Sequence, residues 1–99
     1  MNVFMHSIQV IGDAETVLAF ALGGVPGQVA KTGEEARAAI DTAVERVQAG
    51  GGPAQVPLLL IITRATAAHV RTTLDRLMID PGAPLVVEIP GAPEGLNSP

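Results

Sequence analysis

The chain has no cysteine, no tryptophan and no tyrosine, and its only aromatic residues are Phe4 and Phe20. Without thiols it can form neither disulfides nor thiolate metal sites, which fits an intracellular protein held together by packing alone. Two phenylalanines make no platform on which nucleic-acid bases could stack. Only six of the 99 residues are Lys or Arg, against ten Asp or Glu, and the net charge is −4. Nothing basic is clustered, so the footprint of a phosphate backbone is missing as well. No apolar run approaches the roughly 18 residues of a membrane span. Met1 to Ser7 has neither the basic stretch nor the long apolar stretch of a signal peptide, and reads as a short leader.

Aliphatic side chains dominate what remains. The chain is 47% hydrophobic, with a mean hydropathy of +0.38. A chain of this length makes one domain with a modest core. Apolar residues beyond that core have a partner surface as their natural place. The densest run, Pro57-Leu58-Leu59-Leu60-Ile61-Ile62-Thr63, does not alternate, so it reads as a strand covered on both faces, mid-sheet in a parallel α/β domain.

The other elements follow from local signals. Ser7 to Ile11 reads as a first strand; Gly12 permits a tight turn and Asp13 caps a helix over 14–22. That helix is apolar on nearly every side, so it is either deeply covered or docks something. Gly23 and Gly24 end it. After Val25-Pro26-Gly27, a short, weak strand running to Lys31 suits a sheet edge. Thr32 and Glu35 form a capping box. The helix behind it carries Ala36, Ala39, Ile40, Ala43, Val44 and Val47 as one stripe, and Gly50-Gly51-Gly52-Pro53 stops it. Beyond the central strand, Thr63 caps a third helix over about 64–78, with Ala67, Val70, Leu74, Leu77 and Met78 on one face. Asp80 to Pro84 is a turn, and Leu85 to Ile89 is the last strand.

The pattern β-α-β-α-β-α-β predicts an α/β three-layer sandwich. Its four-stranded parallel sheet has the order 2-1-3-4, a truncated flavodoxin- or receiver-like fold. Residues 1–91 form the single domain. The Pro/Gly/Ser/Asn-rich tail 92–99 reads as loose.

A ligand site in such a sheet lies beyond the carboxyl ends of strands 1 and 3, which places Gly12, Asp13, Thr63 and Arg64 at one rim. Phosphate binding would need several free amides and no adjacent carboxylate. A receiver needs a carboxylate acceptor where Thr63 stands and an acidic pair for Mg²⁺ where only Asp13 stands. His6 and His69 have no acidic neighbour at metal-ligand spacing. No catalytic residue, cofactor site or metal site emerges. The candidates for contact with a partner are Arg64, His69, Arg71 and Arg76, cations gathered on the third helix of an acidic chain. A receiver-like or small-ligand-binding module without a standard phospho-acceptor remains the alternative.

Three stretches taken together resemble a known family. Ile8-Gln9-Val10-Ile11-Gly12-Asp13 continues through Thr16-Val17, Phe20, Leu22 and Gly24-Val25. Leu60-Ile61-Ile62-Thr63 is followed by Ala67, Val70 and Arg71, and Val86-Val87-Glu88-Ile89-Pro90 closes the set. Their order and spacing over about residues 8–91 resemble the F subunit of V/A-type (vacuolar/archaeal-type) rotary H⁺/Na⁺ ATPases and ATP synthases. The resemblance implies a non-catalytic subunit of the central stalk, cytoplasmic and peripheral to the membrane. Its partners would be a D-type coiled-coil stalk subunit and, indirectly, the catalytic head. It would help couple ATP turnover to ion translocation. The family continues past this last strand into a C-terminal helix, for which residues 92–99 offer no counterpart.

Overall fold

The computed structural model describes residues 8–49, 59–80 and 84–91. They form β1 (Ile8–Gly12), α1 (Ala14–Leu22), β2 (Gly27–Val29), α2 (Gly33–Ala49), β3 (Leu59–Thr63), α3 (Arg64–Ala68), α4 (Arg71–Met78) and β4 (Leu85–Ile89). All strand pairs are parallel, in the order β2-β1-β3-β4. The expected α/β architecture, a four-stranded parallel sheet with helices on both faces, is what forms. Met1 to Ser7, Gly50 to Leu58, Pro81 to Ala83 and the tail 92–99 lie outside the described residues, and with them the leader, the glycine loop, the start of the apolar run, the middle of the expected turn from Asp80 to Pro84 and the loose tail.

Register fixes which side chains share a face, because alternate residues of a strand point to opposite sides. Ile11, Leu60 and Ile62 lie on one side. There they bury against Ala36, Ala39, Ile40 and Ala43 of α2, Ala67 of α3, Val70 and Leu74. The small alanines of α2 let helix and sheet approach closely, so the core is aliphatic and dense. Val10 is buried on the other side, under α1. A Cβ at Gly27 would stand 2.5 Å from Val10 Cγ1 and 3.0 Å from Val17 Cγ1. Glycine is therefore what lets α1 settle on β2.

The local caps are satisfied. Thr32 Oγ1 accepts from the Glu35 amide at 3.1 Å, while Glu35 Oε1 accepts from the Lys31 amide at 2.6 Å. The reach-back of the capping box therefore lands one residue earlier than the standard arrangement, in which it meets the N-cap amide. At the end of α1 the Val25 amide bonds the Phe20 carbonyl at 2.9 Å. This closure is made possible by Gly24 at φ 90°, a left-handed conformation that costs other residues energy.

Two expectations change. The third helix is not continuous: it breaks at His69 and Val70, and Val70 (φ −131°, ψ 29°) caps α4 without a side-chain bond. The break falls where the chain meets the start of α2, since a Cβ on Gly33 would lie 3.2 Å from the His69 carbonyl oxygen. Beyond the break Val70 and Leu74 are buried, while Met78 at the end of the same helix, expected on that face, is 80% exposed. The central strand is also covered less evenly than its sequence suggests. Leu60 and Ile62 are buried, whereas Leu59 and Ile61 are only half-buried.

Candidate functional site

The rim at the carboxyl ends of β1 and β3 is where this topology places ligands. Here it is occupied by the protein's own capping groups. Asp13 accepts from the Thr16 amide at 3.0 Å and from the Thr16 hydroxyl at 2.8 Å. Partial burial pushes the Asp13 carboxyl up, but the hydrogen bonds from Thr16, with the backbone of Asp13 and Glu15, outweigh it and hold the group below its ordinary value. The carboxylate is thus ionised and committed to the first turn of α1, where the helix dipole also favours it.

Thr63 does the same for α3. Its hydroxyl donates to Thr66 Oγ1 at 2.8 Å, and the Thr66 amide points back at Thr63 Oγ1 at 3.4 Å. Thr63 and Thr66 are both buried. The Thr63 methyl lies over Gly12, where an added Cβ would come within 2.4 Å of Thr63 Cγ2. Side chains therefore fill the space between the two strand ends. A receiver's acceptor position holds a buried hydroxyl already bonded to a neighbour, which offers no carboxylate nucleophile. Among the described residues no group of three His, Cys, Asp or Glu side chains is placed to hold a metal ion.

The four cations offered as partner contacts are brought to one side of the molecule but not into one cluster. Arg64 opens α3 at the rim, and His69 is exposed at its end. Arg71 is engaged in a bidentate pair with Glu88 on β4, with Nη2 donating to Oε1 at 3.1 Å and Nη1 donating to Oε2. The hydrogen bond from Arg71 is the main cause holding Glu88 below its ordinary value, and the charge of Arg64 adds to it. Glu88 in turn raises Arg71. Arg76 lines a shallow cleft of about 400 Å³ between α2 and α4, beside Asp41 and Glu45. The pairing of Arg71 with Glu88 was invisible in sequence, since 17 residues separate them.

A deeper feature is mainly apolar. A groove of about 420 Å³ runs between α4 and the edge strand β4, lined by Leu74, Leu77, Met78, Pro84, Leu85 and Val86 with Arg71, Asp80 and Glu88 at its margins. On the far side of the sheet α1 keeps Leu18 60% and Leu22 82% exposed. Of the two readings open for this helix, deep cover is not the one realised: only Thr16 is buried. No described helix is long and apolar enough to cross a membrane.

A search of the curated proteins finds no match to the chain. A protein-family model does match, that of the ATP synthase (F/14-kDa) subunit, over residues 8–98. The match spans both strand ends of the closed rim and the edge strand β4, and so nearly the whole sequence. The chain belongs to the ATP synthase F/14-kDa subunit family.

Proposed function

We propose that the chain is a non-catalytic component of the central stalk of a V/A-type rotary ATPase. In this role it binds the D-type coiled-coil subunit and helps couple ATP turnover in the catalytic head to ion translocation in the membrane. It acts on the cytoplasmic side, peripheral to the bilayer. The observation that carries the reading is the family match over residues 8–98. The rim supports it, because Asp13 and Thr63 are spent on helix caps, while large apolar side chains such as Leu18, Leu22, Met78 and Leu85 stand exposed. Arg64, His69, Arg71 and Arg76 are proposed as polar contacts at the margin of the interface, where charges set association rate more than affinity.

The test is co-expression with the coiled-coil stalk subunit of the same organism. The pair should co-elute at micromolar concentration with or without nucleotide. Adding this chain to a stalk-depleted complex should restore coupling between ATP hydrolysis and ion transport. Two separate species at that concentration, or unchanged coupling, would refute the proposal.

A further inference from the structure

The two edges of the sheet are unlike. β2 forms one of them: it is three residues long, begins just after Pro26 and ends short of Lys31. Short strands, proline and lysine are means by which sheet edges avoid joining one another. β4 forms the other edge and has none of these within it. All five of its residues stay in register with β3, so no bulge interrupts it. Pro84 and Pro90 flank the strand rather than enter it. Among the described residues no backbone group bonds to its outer side. Four of its five side chains are aliphatic, with Leu85 69% and Val87 45% exposed. Its one charge, Glu88, is already matched by Arg71 of the same chain.

What fits an edge of this kind is a strand, because only a strand offers amides and carbonyls in a matching row. The run Leu85-Val86-Val87-Glu88-Ile89 is complementary to itself. Antiparallel pairing about Val87 sets Leu85 opposite Ile89 of a second copy, Val86 opposite its Glu88, and Val87 opposite its counterpart. In this register every residue of the strand finds a partner. Leu85, Val87 and Ile89 of both copies make one unbroken apolar ladder, beside Leu59 and Ile61 of β3. Glu88 faces an aliphatic side chain, so no like charges stand directly opposite. A slip of one residue would instead bring Val86 and Glu88 onto the apolar face. An antiparallel strand at the edge of an otherwise parallel sheet is a common arrangement.

We infer that the free chain associates with a second copy of itself through β4. The two strands pair antiparallel about a two-fold axis at Val87 and join the two four-stranded sheets edge to edge. Such an interface is isologous, each copy giving and receiving the same contacts. It covers Leu85 and Val87, which otherwise stand in water. Pairing of one short strand a side is a smaller contact than a stable dimer makes, so the association is reversible and depends on concentration. The inference goes beyond the stalk reading and is independent of it, since it concerns this chain alone.

The absence of cysteine makes the test sharp, because an introduced thiol is the only one in the chain. In the proposed register the two Val87 positions lie about 5 Å apart at Cα, within the roughly 4.4–6.8 Å that a disulfide spans. The two Leu85 positions lie four strand residues apart, about 13 Å, beyond that reach. Val87→Cys should therefore form a covalent dimer under mild oxidation at least tenfold faster than Leu85→Cys, although Leu85 is the more exposed. Sedimentation of the wild-type chain from micromolar to millimolar concentration should show its mass rising from one chain toward two. Val87→Lys sets two like charges face to face on the axis and should hold the mass at one chain, with a thermal midpoint near wild type. Leu22→Lys, on α1, should associate as wild type does. A wild-type mass of one chain at every concentration, as when a segment of the same chain lies along the edge, overturns the inference. Equal cross-linking of Val87→Cys and Leu85→Cys overturns it too, however well Val87→Lys folds. Either result leaves the stalk reading, tested by co-elution with the coiled-coil subunit, untouched.

Discussion

Gly12 and Thr63 meet across the β1–β3 junction so closely that the smallest side chain at position 12 would collide with the Thr63 methyl, at 2.4 Å. That contact shuts the rim at which folds of this topology bind ligands. It also explains why glycine stands at the end of β1, beyond any need for a turn.

Gly12→Ala should therefore destabilise the protein by about 1–3 kcal/mol, the usual cost of overpacking. For a domain of this size each kcal/mol lowers the midpoint by roughly 4–8 °C. Thr63→Ser in the same chain removes the offending methyl while keeping the cap, and should recover part of the loss. Thermal unfolding of the single and double variants decides it. Equal midpoints for Gly12→Ala and wild type would show that the junction is loose.

Asp13 should set part of the acid limit of the fold. Its carboxyl is held below the ordinary value of 3.8, so the stability it contributes is present above that value and is lost as pH falls through the folded-state value. Asp13→Asn keeps a capping oxygen without the charge and should flatten the stability profile below about pH 4, in the region of the ordinary carboxylate value. Asp13→Ala should cost about 1 kcal/mol at neutral pH through loss of the cap. Denaturant melts from pH 3 to 7 test both.

The Arg71–Glu88 pair ties α4 to the edge strand. Glu88→Gln should loosen β4, raising amide exchange at Leu85 to Ile89 while leaving β1 and β3 protected. Both partners are exposed, so the effect should shrink as salt rises and be nearly gone by about 1 M, where the screening length is about 3 Å. An effect independent of salt would mean that packing, not charge, anchors the strand.

Ile40 and Leu22 are both large aliphatics on helices, yet they should respond oppositely. Ile40 is fully buried and Leu22 is 82% exposed. Ile40→Ala should cost about 2–5 kcal/mol by opening a cavity, enough to unfold much of a marginal domain. Leu22→Ala should stay within about 0.5 kcal/mol, as surface changes do. Urea unfolding of the two variants compares them directly.

Much of this was legible in the order of residues. Asp13, Thr32 and Thr63 announce helix starts because a short side chain can bond only the amides just ahead of it. The stripe from Ala36 to Val44 declares its buried face because helical spacing is local. The α/β alternation then leaves few topologies, and the four-stranded parallel sheet is among them. The three motifs that resemble the F subunit lie on these same elements, so the family was readable with the fold.

What the sequence could not decide depends on distance across the fold. No local signal marks the break at His69 and Val70, because it arises where that turn meets Gly33 of another helix. The unbroken apolar character of Leu59 to Ile62 told that both faces of β3 are to be covered, but not that α1 settles on β1 and β2 and leaves Leu85 and Val87 in water. Periodicity reports which way a side chain points along its own element. Which neighbour stands there, Thr63 over Gly12 or open solvent over Val87, is set only when distant strands and helices pack together.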